Sequence, residues 1–248
     1  MYENRVALIT GAGTGVGRAC ALRFAKLGYG VVVNYSRSEV EASQTAEEVN
    51  QLGGQALLVK CDVSEDQGVK QMIKRIEDQF GRLDVVVNNA ATTNFIEHQR
   101  LDDLTEAMWD RMHNVNVKGA FFVTRSAANL LKQGSHAAVV NIASVAGITG
   151  SGSSIAYCAT KGALITMTKS LARVLAPNVT VNAVCPGPID SRWIREGNPD
   201  WDLGEMVAHY PIPKASSPDE IADAVVFFSV DNRMATGQIL AVDGGQTL

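Results

Sequence analysis

The chain has 248 residues, 46% of them hydrophobic and 19% charged, proportions that suit a soluble globular protein long enough for one sizeable core. Its formal net charge of −4 leaves no basic footprint for nucleic acid and no polybasic patch for a membrane surface, so neither is expected as a partner. The four cysteines, Cys20, Cys61, Cys158 and Cys185, form no CxxC pair and no metal-ligand spacing, which predicts free thiols in a reducing compartment and no metal site.

No linker-like or low-complexity stretch divides the sequence, so residues 1–248 read as a single domain. The opening MYENRVALITGAG enters a strand almost at once, without a charged region, a long apolar segment and a cleavage site, and a cytoplasmic location is the expectation. RVALIT is followed by a helix from about Val16 to Leu27, GVVVNY by one from about Val40 to Leu52, and ALLVKCDV by one from about Gln67 to Phe80. LDVVVNNA then leads into a long helical stretch from about Leu104 to Leu131, AAVVNIAS into the helix carrying Tyr157, and VTVNAVCPG, a helix near Asp219 to Val230 and QILAVDGG close the chain. Short β-branched runs, apolar on both faces and alternating with amphipathic ones, predict a doubly wound α/β fold with a parallel sheet covered by helices on each side. Such a sheet takes its ligand beyond the carboxyl ends of its strands. The stretch 188–217 breaks the rhythm with Pro188, Pro199, Pro211 and Pro213 beside Trp193, Trp201 and Tyr210. It reads either as a lid over a substrate or as a surface excursion packing its own aromatics.

After the first strand, Gly11, Gly15 and Gly17 lead into a helix in the spacing GxxxGxG, with Thr14 and Val16 in the same loop. Glycines there permit a tight turn and let backbone N–H groups approach a pyrophosphate at the positive end of the helix. A dinucleotide site is also tested after the second strand, where a carboxylate would hold the ribose hydroxyls and a basic residue would receive a 2′-phosphate. The sequence NYSRSEVE offers Ser36 and Arg37 at that turn, which favours NADP(H) and leaves NAD(H) as the alternative; Glu39 and Glu41 read as first-turn acids of the next helix. Arg37 also fits a plain surface charge. Asp62, with Val63 after the third strand, can accept from an adenine amino group or cap a turn, and Asn89 and Ala90 in the NNAA run can lie against a cofactor or form a turn.

In YCATK, Tyr157 and Lys161 stand four residues apart in a helix-compatible stretch and so project from one helical face. A fixed ammonium favours phenolate, and a phenol of lowered pKa can exchange a proton with an alcohol or ketone near neutral pH. Moving such a phenol from about 10 to about 7 takes roughly 4 kcal/mol. Ser144 lies upstream at a strand end.

TGAGTGVG, CDV, NNAA, NVNVKG, NIAS, YCATK and VCPG, followed by VDGG, stand in the order and spacing of the short-chain dehydrogenase/reductase family, which this chain resembles over nearly its whole length. The separation of Ser144 and Tyr157, thirteen by subtraction, is part of that likeness. The resemblance implies a Rossmann-type subunit in which Tyr157 protonates the carbonyl oxygen as hydride arrives from a nicotinamide. Lys161 lowers the pKa of Tyr157 and binds the nicotinamide ribose. Ser144 holds the substrate oxygen, and Asn116 helps hold a water in the proton relay, with neighbouring Asn114 its competitor. It further implies that Pro186, Gly187, Ile189 and Ser191 face the cofactor. Ala91 stands where the family usually has the glycine of NNAG, and KQGSHAA replaces the basic run usual in reductases of acyl-carrier substrates.

The activity implied is NADP(H)-dependent reduction of a small-molecule carbonyl or oxidation of a secondary alcohol, most similar to 3-oxoacyl reductases. A sugar or polyol dehydrogenase and a non-catalytic nucleotide-binding regulator are the rivals. Arg192, Arg195 and His209, with Thr92, Asn94 and His98, are candidates to touch a polar or anionic substrate. By the same resemblance a homotetramer or a dimer is expected, built on the helices near Leu104 to Leu131 and Ile155 to Leu175.

Overall fold

The computed structural model describes residues 5–197 and 201–248. Its strands are β1 (Val6–Ile9), β2 (Gly30–Tyr35), β3 (Ala56–Lys60), β4 (Val85–Asn88), β5 (Ala137–Ile142), β6 (Val179–Pro186) and β7 (Ile239–Val242). The helices of the first half are α1 (Gly15–Lys26), α2 (Glu39–Gln51), α3 (Asp66–Phe80), α4 (Glu106–His113) and α5 (Ala120–Lys132). Those of the second half are α6 (Ala146–Thr149), α7 (Ile155–Leu175), α8 (Arg192–Gly197), α9 (Leu203–Val207) and α10 (Pro218–Val226). Met1 to Asn4, where the N-terminal reading begins, and Pro199 lie outside the described residues.

All the strands pair in parallel, in the order β3-β2-β1-β4-β5-β6-β7. Alternate residues of each strand go to opposite faces. Ala7, Ile9, Val31, Val33, Val85 and Val87 therefore enter one core with α1, α2 and α10, while Val6, Leu8, Val32, Val86 and Val139 enter a second with α3, α5 and α7. Two buried faces explain why the strands read as nearly continuous apolar runs. The strand order reverses between β1 and β4, which opens a crevice beyond their carboxyl ends.

The helix predicted from about Leu104 to Leu131 is interrupted. α4 begins after Thr105, whose hydroxyl accepts from the Met108 N–H at 3.4 Å. A π-helical turn over Asn114–Gly119 then separates α4 from α5. Two contacts account for the inserted residue's position. The Asn116 side chain is tied to the backbone of Thr92, and Gly119 lies so close to Val63 that a Cβ there would fall 2.7 Å from Val63 Cγ2. Hydrophobic periodicity carries no mark of such a turn, because the apolar face continues through it.

A buried polar chain crosses the sheet. The Asn88 amide donates to Thr124 Oγ1 of α5 at 3.0 Å and to Asn141 Oδ1 of β5 at 2.8 Å, and Asn141 donates to Thr168 Oγ1 of α7 at 2.9 Å. Asn88 is thus a strand residue at the core of this face. Removing one member strands a buried donor of another. Asn141→Val is expected to lower the unfolding free energy by about 2 kcal/mol, read by urea denaturation. A double variant, Asn88→Leu with Asn141→Val, is expected to lose less than the sum of the single losses.

Candidate active site

The loop after β1 is built for close approach. Gly11 and Gly15 take left-handed backbone angles, with φ of 63° and 53°, and a Cβ on Gly11 would sit 3.1 Å from Ala90 Cα. Gly13, which the sequence reading passed over, is as tight, its Cβ position lying 3.1 Å from the Ala42 N. Thr14 precedes α1 in extended geometry with a hydroxyl that makes no capping bond, and the first turn of α1 holds no acid. A helix N-terminus with free amides and no carboxylate of its own suits an anionic group. Gly11, Thr14, Gly15 and Val16 border a cleft of about 630 Å³. Gly17 does not border it: a Cβ there would lie 2.6 Å from Asn89 Nδ2, so its glycine serves the packing of α1 on the β4 end.

Ser36, Arg37, Asp62 and Val63 border one end of this cleft, Asn89 and Ala90 its middle, and Pro186, Gly187, Ile189 and Ser191 the side formed by β6. Asn89 also holds the loop, its amide donating to the carbonyls of Thr10 at 2.9 Å and Gly11 at 3.0 Å. Asp62 accepts from the Ser64 amide at 3.0 Å and hydroxyl at 2.7 Å, and from Arg111 Nη2 at 3.1 Å. Burial alone would raise the Asp62 pKa, but Ser64 and Arg111 more than offset it and hold the carboxyl below its ordinary value. Sequence reasoning missed Arg111, since a charge on a helix face carries no sign of the loop it will meet. Arg111 Nε and Gln246 Oε1, on two residues that border the cleft, are buried with no hydrogen-bond partner among the described residues. Free amides, orphaned polar atoms and a glycine cradle fit a dinucleotide laid along the cleft.

Ser144, Tyr157 and Lys161 converge at the same cleft. α7 starts at Ser154, whose hydroxyl caps it by accepting from the Tyr157 N–H at 3.2 Å, and this places Tyr157 in the first turn. The Ser144 side chain lies near enough to the Tyr157 phenol to lower its pKa. Lys161 is 2% exposed, donates to the Ile142 carbonyl at 2.7 Å, and its Nζ lies 5.5 Å from the Tyr157 ring centroid. The protein alone does not supply the depressed phenol pKa that the i, i+4 spacing suggests. Burial pushes Tyr157 up to about 12, against a lowering by Ser144, and pushes Lys161 down to about 8. Desolvation is the largest influence on each of the two groups.

Asn116 stands behind this group and does not border the cleft. Its amide donates to the Thr92 carbonyl at 2.9 Å and to Thr160 Oγ1 at 3.0 Å, its carbonyl accepts from the Thr92 N–H at 2.8 Å, and Thr160 donates to the Tyr157 carbonyl at 2.8 Å. One lone pair on Oδ1 is all that the side chain keeps for a water. The competitor Asn114 is instead held by Lys118 Nζ at 2.9 Å.

Of the candidate substrate contacts, Thr92 and Arg192 border the cleft. Arg195 is paired with Asp190, His98 bonds the Gly152 carbonyl at 3.1 Å, and His209 is exposed; these three and Asn94 do not border the cleft. Arg192 Nη1 reaches Glu41 of α2 at 2.5 Å, linking α8 to the opposite lip. Ser216 pairs with Ile189 and Asp190, which roots the segment 188–217 beside β6. Phe95, Trp193 and Trp201 also face the cleft; Phe95 was not singled out from the sequence.

A doubly wound sheet whose switch-point crevice joins a glycine loop to a Ser, Tyr and Lys group has the architecture of an oxidoreductase acting on carbonyls or alcohols. A family profile described as enoyl-(acyl carrier protein) reductase matches residues 11–247. The chain is 37% identical to a putative ketoacyl reductase 2 of the granaticin polyketide synthase of Streptomyces violaceoruber, covering 99% of this chain and 97% of that one. It is also 37% identical to the 3-oxoacyl-[acyl-carrier-protein] reductase FabG of Staphylococcus aureus, with 99% of each covered. A putative short-chain dehydrogenase/reductase from Burkholderia xenovorans superposes with a TM-score of 0.92 at 34% identity, covering 99% of this chain and 98% of that one. The chain belongs to the short-chain dehydrogenase/reductase family.

The buried lysine has a measurable consequence. Between its folded value of about 8 and its ordinary 10.5, the unfolded chain retains a proton that folded Lys161 has released, so stability rises with pH through that window. The deficit is complete below about pH 8. Relative to Lys161→Met, the wild type should therefore gain on the order of 3 kcal/mol from pH 8 to 10.5, measured by denaturation of the ligand-free proteins.

Proposed function

We propose that the protein is an NADP(H)-dependent ketoreductase, converting a carbonyl to a secondary alcohol. The observation that carries this reading is the convergence of Ser144, Tyr157 and Lys161 on a cleft that also reaches Ser36 and Arg37. A bound nicotinamide supplies the hydride. Ser144 Oγ orients the substrate carbonyl oxygen, and Tyr157 gives its proton to that oxygen as the carbonyl electron pair moves onto it. Phenolate then forms beside Lys161. Each charge is costly alone in this buried setting, but the charged pair recovers a Coulomb attraction that the neutral pair lacks. Asn116 acts as a positioning residue, fixing Thr92 and, through Thr160, the first turn of α7.

The 2′-phosphate preference rests on Ser36 and Arg37. The nearby acids are engaged elsewhere, Glu39 by Lys60 at 3.5 Å and Glu41 by Arg192 at 2.5 Å. The named relatives act on 3-oxoacyl or ketoacyl groups, which supports reduction of a ketone as the reaction. The proposal extends to a homotetramer or dimer, since Trp109, Phe121, Ile155 and Val174 leave exposed apolar surface on α4, α5 and α7. Among the described residues no helix is long and apolar enough to cross a membrane, and a cytoplasmic setting is proposed.

Titration with NADPH and NADH by nucleotide fluorescence, then absorbance decay against 3-oxoacyl esters, diketones and sugars, tests the reading. Arg37→Ala should weaken NADPH at least tenfold, about 1.4 kcal/mol, and leave NADH unchanged. Preference for NAD(H) with turnover of polyols would move the assignment to a polyol dehydrogenase. Tyr157→Phe should bind nucleotide as the wild type does while turnover falls about a thousandfold; retained turnover would remove Tyr157 from the mechanism.

A further inference from the structure

The substrate end of the cleft has an unusual wall. Phe95, in the loop after β4, meets Trp201 edge to face, with ring centroids 5.3 Å apart and planes at 87°. The same ring lies against α8 so closely that a Cβ on Gly197 would fall 2.7 Å from Phe95 Cζ. Trp193 borders the cleft with Trp201, and the two remain 43% and 37% exposed. Ile194 and Met206 extend the apolar surface. Large aromatic faces left open inside a cleft offer a flat ring stacking and edge contacts beyond what their area alone provides.

The charges bordering the cleft are committed elsewhere. Among the described residues they are Asp62 with Arg111, Arg37 at the far end, Lys161 on the Ile142 carbonyl, and Arg192 held by Glu41. A carboxylate or phosphate pressed against Phe95, Trp193 and Trp201 would lose its hydration without gaining a cation. Beside this wall the Ser153 hydroxyl is bonded to Thr93 at 2.5 Å.

We infer that the substrate is a neutral ketone carried on a flat aromatic or fused-ring body, which seats against Phe95, Trp193 and Trp201 while its carbonyl reaches Ser144 and Tyr157. This rests on the ketoreductase reading above and narrows it. The reaction balances as before: the carbonyl carbon gains the hydride of NADPH, its oxygen gains the Tyr157 proton, and NADP+ is released.

The test compares 2-tetralone, a neutral fused-ring ketone, with ethyl acetoacetate, a small aliphatic one, on the full-length protein with NADPH. The kcat/KM for 2-tetralone should exceed that for ethyl acetoacetate at least tenfold. Trp201→Ala should lower that ratio at least tenfold, and Trp201→Phe, which keeps a ring and guards against a folding defect, should restore most of it. Equal or better use of ethyl acetoacetate, or an unchanged ratio in Trp201→Ala, would overturn the inference. Tryptophan fluorescence separates it from the reading beneath it, because Trp193 and Trp201 border the cleft and Trp109 does not. Quenching by 2-tetralone that shrinks in Trp201→Phe, with no ketone turned over, would support the aromatic seat and reject the reductase. Absence of quenching in the wild type would reject the seat.

Discussion

The carboxyl edge of the sheet depends on one join, between the β1 loop and the end of β4. Thr10 Oγ1 accepts from the Asn89 and Ala90 amides, each at 3.0 Å, and the Asn89 side chain returns two bonds to the carbonyls of Thr10 and Gly11. This closes the switch point with hydrogen bonds and leaves no room for a side chain at Gly11 or Gly17. Loop shape, α1 direction and the floor of the cleft follow from it. An anion at the α1 N-terminus therefore meets amides whose positions are set by β4 as much as by β1. Asn89 thus shapes the glycine loop.

The proton-transfer group shows what burial does to a pair of complementary acids. Tyr157 is driven toward the neutral phenol and Lys161 toward the neutral amine, so burial works against a phenolate–ammonium pair. The lysine is held by the Ile142 carbonyl, which accepts a bond from either protonation state. Cys185 lies close enough to Lys161 and Ser144 for its thiol to feel both, but burial pushes it up to about 11 and keeps it neutral near pH 7. The cost of ionisation is thus set by desolvation, and any change that wets this end of the cleft would ease it while weakening each electrostatic contact.

The sheet was legible in the sequence because a parallel strand buried on both faces must read as an apolar run, and RVALIT, GVVVNY and AAVVNI do so. Tyr157, Lys161 and Ser144 were legible as well, since a polar residue fixed at a strand end or at i, i+4 stands out against such runs. What was not legible depends on contacts between distant segments. Gly17 reads like a phosphate-binding glycine but packs against Asn89, Asp62 reads as an adenine acceptor but already holds Ser64 and Arg111, and Phe95 reads as nothing until Trp201 meets it across the cleft. Periodicity also ran straight through Asn114–Gly119, where the structure inserts a π-helical turn.

That turn has a structural logic of its own. A π-helical turn adds one residue to the ladder, so the side chains beyond it are rotated relative to those before it. Here the shift lets one helical stretch serve two neighbours. α4 presents Arg111 to Asp62 at the β3 end of the cleft, while Asn116 turns inward to Thr92 and Thr160 behind Tyr157. Gly119 then permits contact with Val63, the residue after Asp62, so both ends of the turn press on the same β3 loop. An unbroken α-helix would keep Arg111 or Asn116 in register, but a single set of 3.6-residue steps does not naturally carry both along with the close Val63 contact. Asp62 and the Thr160 region are thereby joined through one helix as well as through the sheet. A substitution that straightened the turn would be felt at Asp62 and at Thr160 together, though the two lie on different segments.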